Sequence, residues 1–288
     1  MTGTKRSRRR FLQMAGLSTV ASLTGPNLSR ARGDNLPNNN RPQLFELGLA
    51  SYTFRKFDLD KTLEMTNRVG LKYIALKDLH LPLDSTPKRI KEVVKKVNDA
   101  GLNLYGGGVT YMKNEQEVNN AFDYAKAAGM KVIIGVPNQD LLPNVNKKVQ
   151  EYDIKVAIHN HGPDPDKLYP TPASAIEEIK DLDSRIGLCI DIGHTQRAGI
   201  DPSKPTEKFA DRLLDVHIKD VSAATAKGKT VEIGRGVIDI PKFLRTLLKI
   251  NYTGIVSFEY EKDEFDPLPG LAESVGYVKG ALATIRET

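Results

Sequence analysis

The sequence predicts a single-domain (β/α)8 TIM barrel, on three observations. Eight short apolar runs recur between residues 45 and 260, with their ends 23 to 42 residues apart. Amphipathic stretches with helix start and stop signals separate them. The eight repeats occupy about 245 residues, the size such a barrel takes. A doubly wound open sheet is the competitor, but no glycine-rich dinucleotide turn follows the first run.

Taken in order, the expected strands are 45–52, 71–77, 102–109, 131–136, 154–159, 186–191, 213–219 and 253–260. Between the second and third, Thr86 and Pro87 supply an N-cap and a first-turn proline. Ile90, Val93, Val94 and Val97 then form an i, i+3, i+4, i+7 stripe, and Gly101 stands where a helix stops. Val118, Phe122 and Ala125 repeat the pattern ahead of Gly129. Residues 238–248 and 271–285 cover the last two crossovers.

Ahead of the barrel, Ser7 to Gln13 reads SRRRFLQ, six of the seven positions of the twin-arginine pattern S-R-R-x-F-L-K. The apolar stretch Met14 to Thr24 that follows is too short to span a bilayer. Residues 1–32 therefore resemble a Tat signal peptide, 33–43 read as a flexible leader, and 44–288 hold the barrel. The resemblance implies a periplasmic or otherwise exported protein without stable membrane insertion after export.

Composition narrows the function classes. The net charge of +6 comes from the leader: residues 1–32 carry seven basic residues and no acid, which leaves the rest at −1. A near-neutral body argues against a nucleic-acid partner. The single cysteine, Cys189, excludes a disulfide framework, and 40% hydrophobic content excludes a disordered chain.

Period-two alternation assigns the late strands an inward face. It holds Ala157 and His159, with His161 just beyond; Gly187, Cys189 and Asp191; Asp215, His217 and Lys219; and Ile255, Ser257 and Glu259. Four consecutive strands thus end in ionisable groups aimed at the C-terminal mouth, where barrel enzymes place their chemistry. Unpaired, such groups are costly to bury, so they should be paired or metal-bound. His159, Asp191, His217 and Glu259 offer a mixed N/O set suited to Mn²⁺, Co²⁺, Zn²⁺ or Mg²⁺, in that order.

The motifs LGLASYTFR (47–55), KDLHLP (77–82), VAIHNHGP (156–163), DIGH (191–194), HIKD (217–220), IGRGVID (233–239) and SFEY (257–260) fall in order on these strand ends. In this arrangement the chain, leader aside, resembles the xylose isomerase-like TIM barrels of the sugar phosphate isomerase/epimerase superfamily. The resemblance implies a divalent metal held by His159, Asp191, His217 and Glu259. It implies an isomerase or epimerase acting on a non-phosphorylated sugar or keto sugar through a metal-stabilised enediolate. Glu259, Lys219, His161 and Lys77 are the expected catalytic groups; His194, His80 and Arg235 are the expected substrate-binding groups. For Lys219 an ion pair with Asp220 or Asp191 is the competing role. The GRG at 234–236 reads as a tight turn rather than a phosphate cradle.

One departure matters. His159 stands where many members have glutamate, and two-glutamate epimerisation then lacks one of its bases. A keto-sugar hydratase or dehydratase, which needs one base, is the alternative. A non-catalytic sugar-binding barrel and an apurinic endonuclease-like protein rank lower, and a homo-oligomer is left open.

Overall fold

In the computed structural model, which describes residues 45–164 and 167–287, eight parallel strands close into a barrel. They are β1 (Glu46–Ala50), β2 (Tyr73–Leu76), β3 (Asn103–Met112), β4 (Val132–Pro137), β5 (Lys155–His159), β6 (Ile186–Asp191), β7 (Leu213–Ile218) and β10 (Ile255–Phe258). The ring runs β1-β10-β7-β6-β5-β4-β3-β2, sealed where Leu47 pairs with Val256 and Gly48 with Ser257. The leader and its twin-arginine motif lie outside the described residues.

Helices α1 (Leu59–Arg68), α2 (Pro87–Asp99), α3 (Glu115–Ala128), α4 (Leu142–Tyr152), α5 (Pro172–Ile179), α6 (Ile192–Arg197), α7 (Ser203–Lys208), α8 (Ile240–Lys249) and α9 (Leu268–Glu287) connect the strands. Their ends follow the local chemistry. Thr86 Oγ1 accepts from Arg89 N at the start of α2, and Ile90, Val93 and Val97 bury its inner face. Gly129, at φ 69°, closes α3. Asp191 caps α6 by accepting from His194 N at 2.7 Å, so one carboxylate oxygen is spent on the helix and the other faces the barrel mouth.

Two strand readings change. The first strand stops at Ala50 because Ser51–Phe54 turn into a 3-10 helix, whose Ser51 Oγ accepts from Lys77 N at 2.8 Å. The long seventh interval holds an extra hairpin, β8 (Asp220–Val221) with β9 (Thr230–Val231). Asp220 ties it down by accepting from the backbone N–H groups of Val221, Gly234, Gly236 and Ile238 at 2.8–3.2 Å.

The apolar parity of the strands packs against the helices: Val156, Ile158, Leu188, Ile190, Val216 and Val256 are all buried. The other parity fills the barrel with a polar layer. Tyr105 Oη meets Ser257 Oγ at 2.5 Å, and Cys189 Sγ points to Asp215 Oδ1 at 3.8 Å. Burial pushes the Asp215 carboxyl up to about 7.

Candidate active site

Directly above that layer, one donor atom from each of His159, Asp191, His217 and Glu259 lies within 4.8 Å of the others. Register explains the meeting. Asp191 pairs with His217 across β6 and β7, His217 pairs with Ser257 on β10, and Glu259 follows two residues later.

Electrostatics then divides the groups. Lys219 Nζ lies 3.0 Å from Asp191 Oδ2 and 2.7 Å from Glu259 Oε2, and it also binds Glu261 Oε1. Of its two expected partners, Asp191 is the one it meets. Burial opposes ionisation of Asp191 and Glu259, yet the Lys219 ammonium holds both well below the usual carboxylate range. Burial works against the ammonium too, but the three carboxylates push it well above the ordinary lysine value. Burial drives His159 down to about 4 and His161 down to about 3, so both are neutral imidazoles at physiological pH. For His217, Glu259 outweighs burial and raises the value.

These residues fit a divalent cation. His159 Nε2, Asp191 Oδ2 and both ring nitrogens of His217 are buried and lack a well-aligned hydrogen-bond partner. Once His217 gives up its proton, as ligation requires, three carboxylates against one ammonium leave a charge of −2, which a divalent ion would cancel. Two neutral nitrogens and two carboxylates are also donors that Mn²⁺, Co²⁺ and Zn²⁺ accept.

A cavity of about 220 Å³ opens over this cluster, lined by Tyr52, Lys77, Val109, Tyr111, His159, His161, His194, Glu259 and Glu261. The hydrogen bonds fix two tautomers. His194 Nδ1 lies 3.0 Å from the Gly162 carbonyl, an acceptor only, so Nδ1 carries the proton and Nε2 is left as a lone pair. His159 Nδ1 lies 3.2 Å from His161 Nδ1. If His159 gives Nε2 to a metal, its Nδ1–H donates to His161, whose own proton then sits on Nε2.

Sequence reasoning places Lys77, His159, His161, Asp191, His194, His217, Lys219 and Glu259 at the mouth, and the structure brings all eight there. Two expected substrate-binding groups lie elsewhere. His80 is buried with Nδ1 2.9 Å from Ser51 Oγ and Nε2 3.0 Å from Thr62 Oγ1, where it fastens the second loop to α1. Arg235 is exposed and forks onto Glu273 at 2.5 and 2.7 Å. Glu261, Tyr52 and Tyr111 were not expected at the mouth. Glu261 continues the parity of Ser257 and Glu259 past the strand end, the one signal that could have found it.

Residues 57–281 match the model of the xylose isomerase-like TIM barrels, well over half of the chain. The chain belongs to that family. Among curated relatives, inosose dehydratase of Geobacillus kaustophilus is 28% identical over 149 residues, 46% of each chain. The chain spans about half the length of the curated relatives it matches. Among solved structures, 3-keto-D-glucoside 4-epimerase from E. coli superposes with a TM-score of 0.68 at 16% identity, over 82% of this chain and all of the other. A probable 3-DHS dehydratase from Bacillus anthracis gives 0.65 at 13% identity, over 82% and 99%. At these identities the likeness establishes the fold.

Proposed function

We propose that this protein is a divalent-metal-dependent hydro-lyase that dehydrates a keto sugar or a related cyclic polyol ketone, or hydrates the corresponding product. The observation that carries the reading is His159 at the mouth. A buried imidazole held neutral, with Nδ1 on His161 and Nε2 turned toward the ion site, cannot act as the second carboxylate base of an epimerase.

His159, Asp191, His217 and Glu259 would hold the ion, which would supply positive charge for a carbonyl oxygen that becomes anionic. The chain's own groups then divide the proton work. His194 Nε2 accepts the proton from the carbon beside the carbonyl. Lys77 follows β2 and His194 follows β6, four places apart in the eight-stranded ring, so they face each other across the mouth. The Lys77 ammonium donates its proton to the departing hydroxyl, which leaves as water. His161 Nε2–H orients the substrate, and Lys219 keeps Asp191 and Glu259 ionised.

Isomerisation or epimerisation through the same enolisation is the second reading, favoured by the epimerases among structural neighbours. Mass spectrometry after incubation of the metal-loaded protein with keto-sugar and keto-inositol panels in deuterated water separates the two. A product lighter by one water supports the hydro-lyase. A product that keeps every heavy atom and gains one mass unit from deuterium supports epimerisation and removes the first reading.

We also propose export through the twin-arginine pathway, on the Ser7–Gln13 motif. Arg8→Lys with Arg9→Lys should retain the protein in the cytoplasm; unchanged export would remove this reading.

A further inference from the structure

A second cavity, of about 360 Å³, opens beside the mouth between α6, the β8–β9 hairpin and the chain that follows β10. It shares His194 and Glu261 with the mouth, so the two volumes meet at the proposed proton acceptor. Four cations line it: Arg197, Lys219, Lys229 and Lys262. Two of them are already balanced. Lys219 is held by three carboxylates, one of them Glu261, and Lys262 by Glu232 at 2.7 Å and Asp263 at 3.6 Å.

Among the described residues, Arg197 and Lys229 have no such counter-charge. Arg197 Nη2 donates to the neutral Ala226 carbonyl at 2.9 Å, while its Nε is buried with no acceptor. The Lys229 ammonium has no acidic partner among the described residues; its recorded bond is from the backbone N–H to Ser222 Oγ. A buried guanidinium N–H without an acceptor is costly, and an oxyanion would remove that cost. The planar guanidinium also matches a carboxylate or phosphate better than any neutral hydroxyl. Lys229 belongs to the loop after the seventh barrel strand and Lys262 to the loop after the eighth, the two loops from which barrels of this kind often build anion sites.

We propose that this cavity binds an oxyanion carried by the substrate, a carboxylate or a phosphate, with Arg197 and Lys229 as its ligands. The substrate is then an acidic keto sugar rather than a neutral one. The assignment rests on the proposed function for where the reacting carbon lies, but binding of the anion requires neither metal nor turnover.

Calorimetric titration of the full chain with D-glucuronate, inorganic phosphate and D-glucose tests it. At least one anion should bind roughly tenfold more tightly than glucose, and Arg197→Gln with Lys229→Gln should weaken it by roughly tenfold or more. Lys229→Gln alone, at an exposed position that tolerates change, should weaken it measurably and guards against a misfolded double variant. Preference for glucuronate assigns a carboxylate; preference for phosphate assigns a phosphorylated substrate. Equal binding of glucose and both anions, or anion binding unchanged in the variants, overturns the proposal. The unmutated chain separates the two readings. Anion binding in a protein that never turns over a keto sugar with any metal keeps the cavity and removes the enzyme; metal-dependent turnover without anion preference does the reverse.

Discussion

Lys219 Nζ sits 2.7 Å from Glu259 Oε2, on a carboxylate whose other neighbour is His217 Nδ1 at 3.3 Å. A single ammonium therefore balances charge in the same space a divalent ion would enter. Lys219→Met leaves Asp191, Glu259 and Glu261 without their cation. The metal-free variant should lose about 3–5 kcal/mol of stability, the cost of breaking a buried ion pair from one side. Added Mn²⁺ or Zn²⁺ should then raise its melting temperature by more than it raises that of the parent. Scanning calorimetry with and without metal reads both effects, and an equal metal response in the two proteins would contradict the charge balance.

His217→Ala removes one of four donors while leaving the barrel's outer packing alone. Divalent metal binding should weaken by more than about 100-fold, since even the loss of a partner behind a ligand costs 10–100-fold. Circular dichroism should remain that of the parent. Elemental analysis of the purified variant gives the answer; full metal content in it would refute the ligand set.

Arg212 fastens the turn into β6, donating to the backbone carbonyls of Lys180, Leu182, Asp183 and Ile186 at 2.9–3.1 Å. Arg212→Met keeps the stem and takes a donor from four carbonyls, of which that of Asp183 still accepts from Ile186 N at 2.9 Å. About 2–4 kcal/mol of stability should disappear, visible as a lower urea midpoint with unchanged slope. Catalytic constants of the folded fraction should not move.

His80 supplies a pH test away from the mouth. Burial lowers its pKa despite acceptors at Phe57 and Phe54. The unfolded chain titrates near 6.5, so just below that pH it holds more protons than the folded chain. Stability is thus constant well above 6.5 and falls as the solution is acidified through it. His80→Gln keeps hydrogen-bonding atoms without a titrating group. The stability difference between parent and variant should shift in the variant's favour between pH 7.5 and 5.5; parallel pH curves would show that His80 does not contribute.

The barrel was legible because period two is a strong local signal: in 186–191 and 214–218, Ile186, Leu188, Ile190, Leu214, Val216 and Ile218 alternate with Gly187, Cys189, Asp191, Asp215 and His217. That parity also located the four residues that meet at the mouth: His159, Asp191 and His217 lie within their strands and Glu259 one residue past β10. Glu261 lies one further step along the same parity, three residues past β10, where Lys219 draws it in. His80 and Arg235 were misplaced for a related reason. Their partners, Thr62 on α1 and Glu273 on α9, come from elements whose approach no local pattern records. The β8–β9 hairpin went unseen because two-residue strands have no period to read.

The carboxylate of Asp220 gathers four backbone N–H groups at the foot of the hairpin, immediately after Lys219 in the chain. The loop is thus held mainly at its base; of residues 223–227 between the two short strands, Ala226 adds a tie, its carbonyl accepting from Arg197 Nη2 at 2.9 Å. The tip is an exchangeable cassette. New lengths and side chains can be grafted there while the residues that line the mouth keep their positions, which makes it the segment where relatives on this scaffold can diverge at least expense to folding.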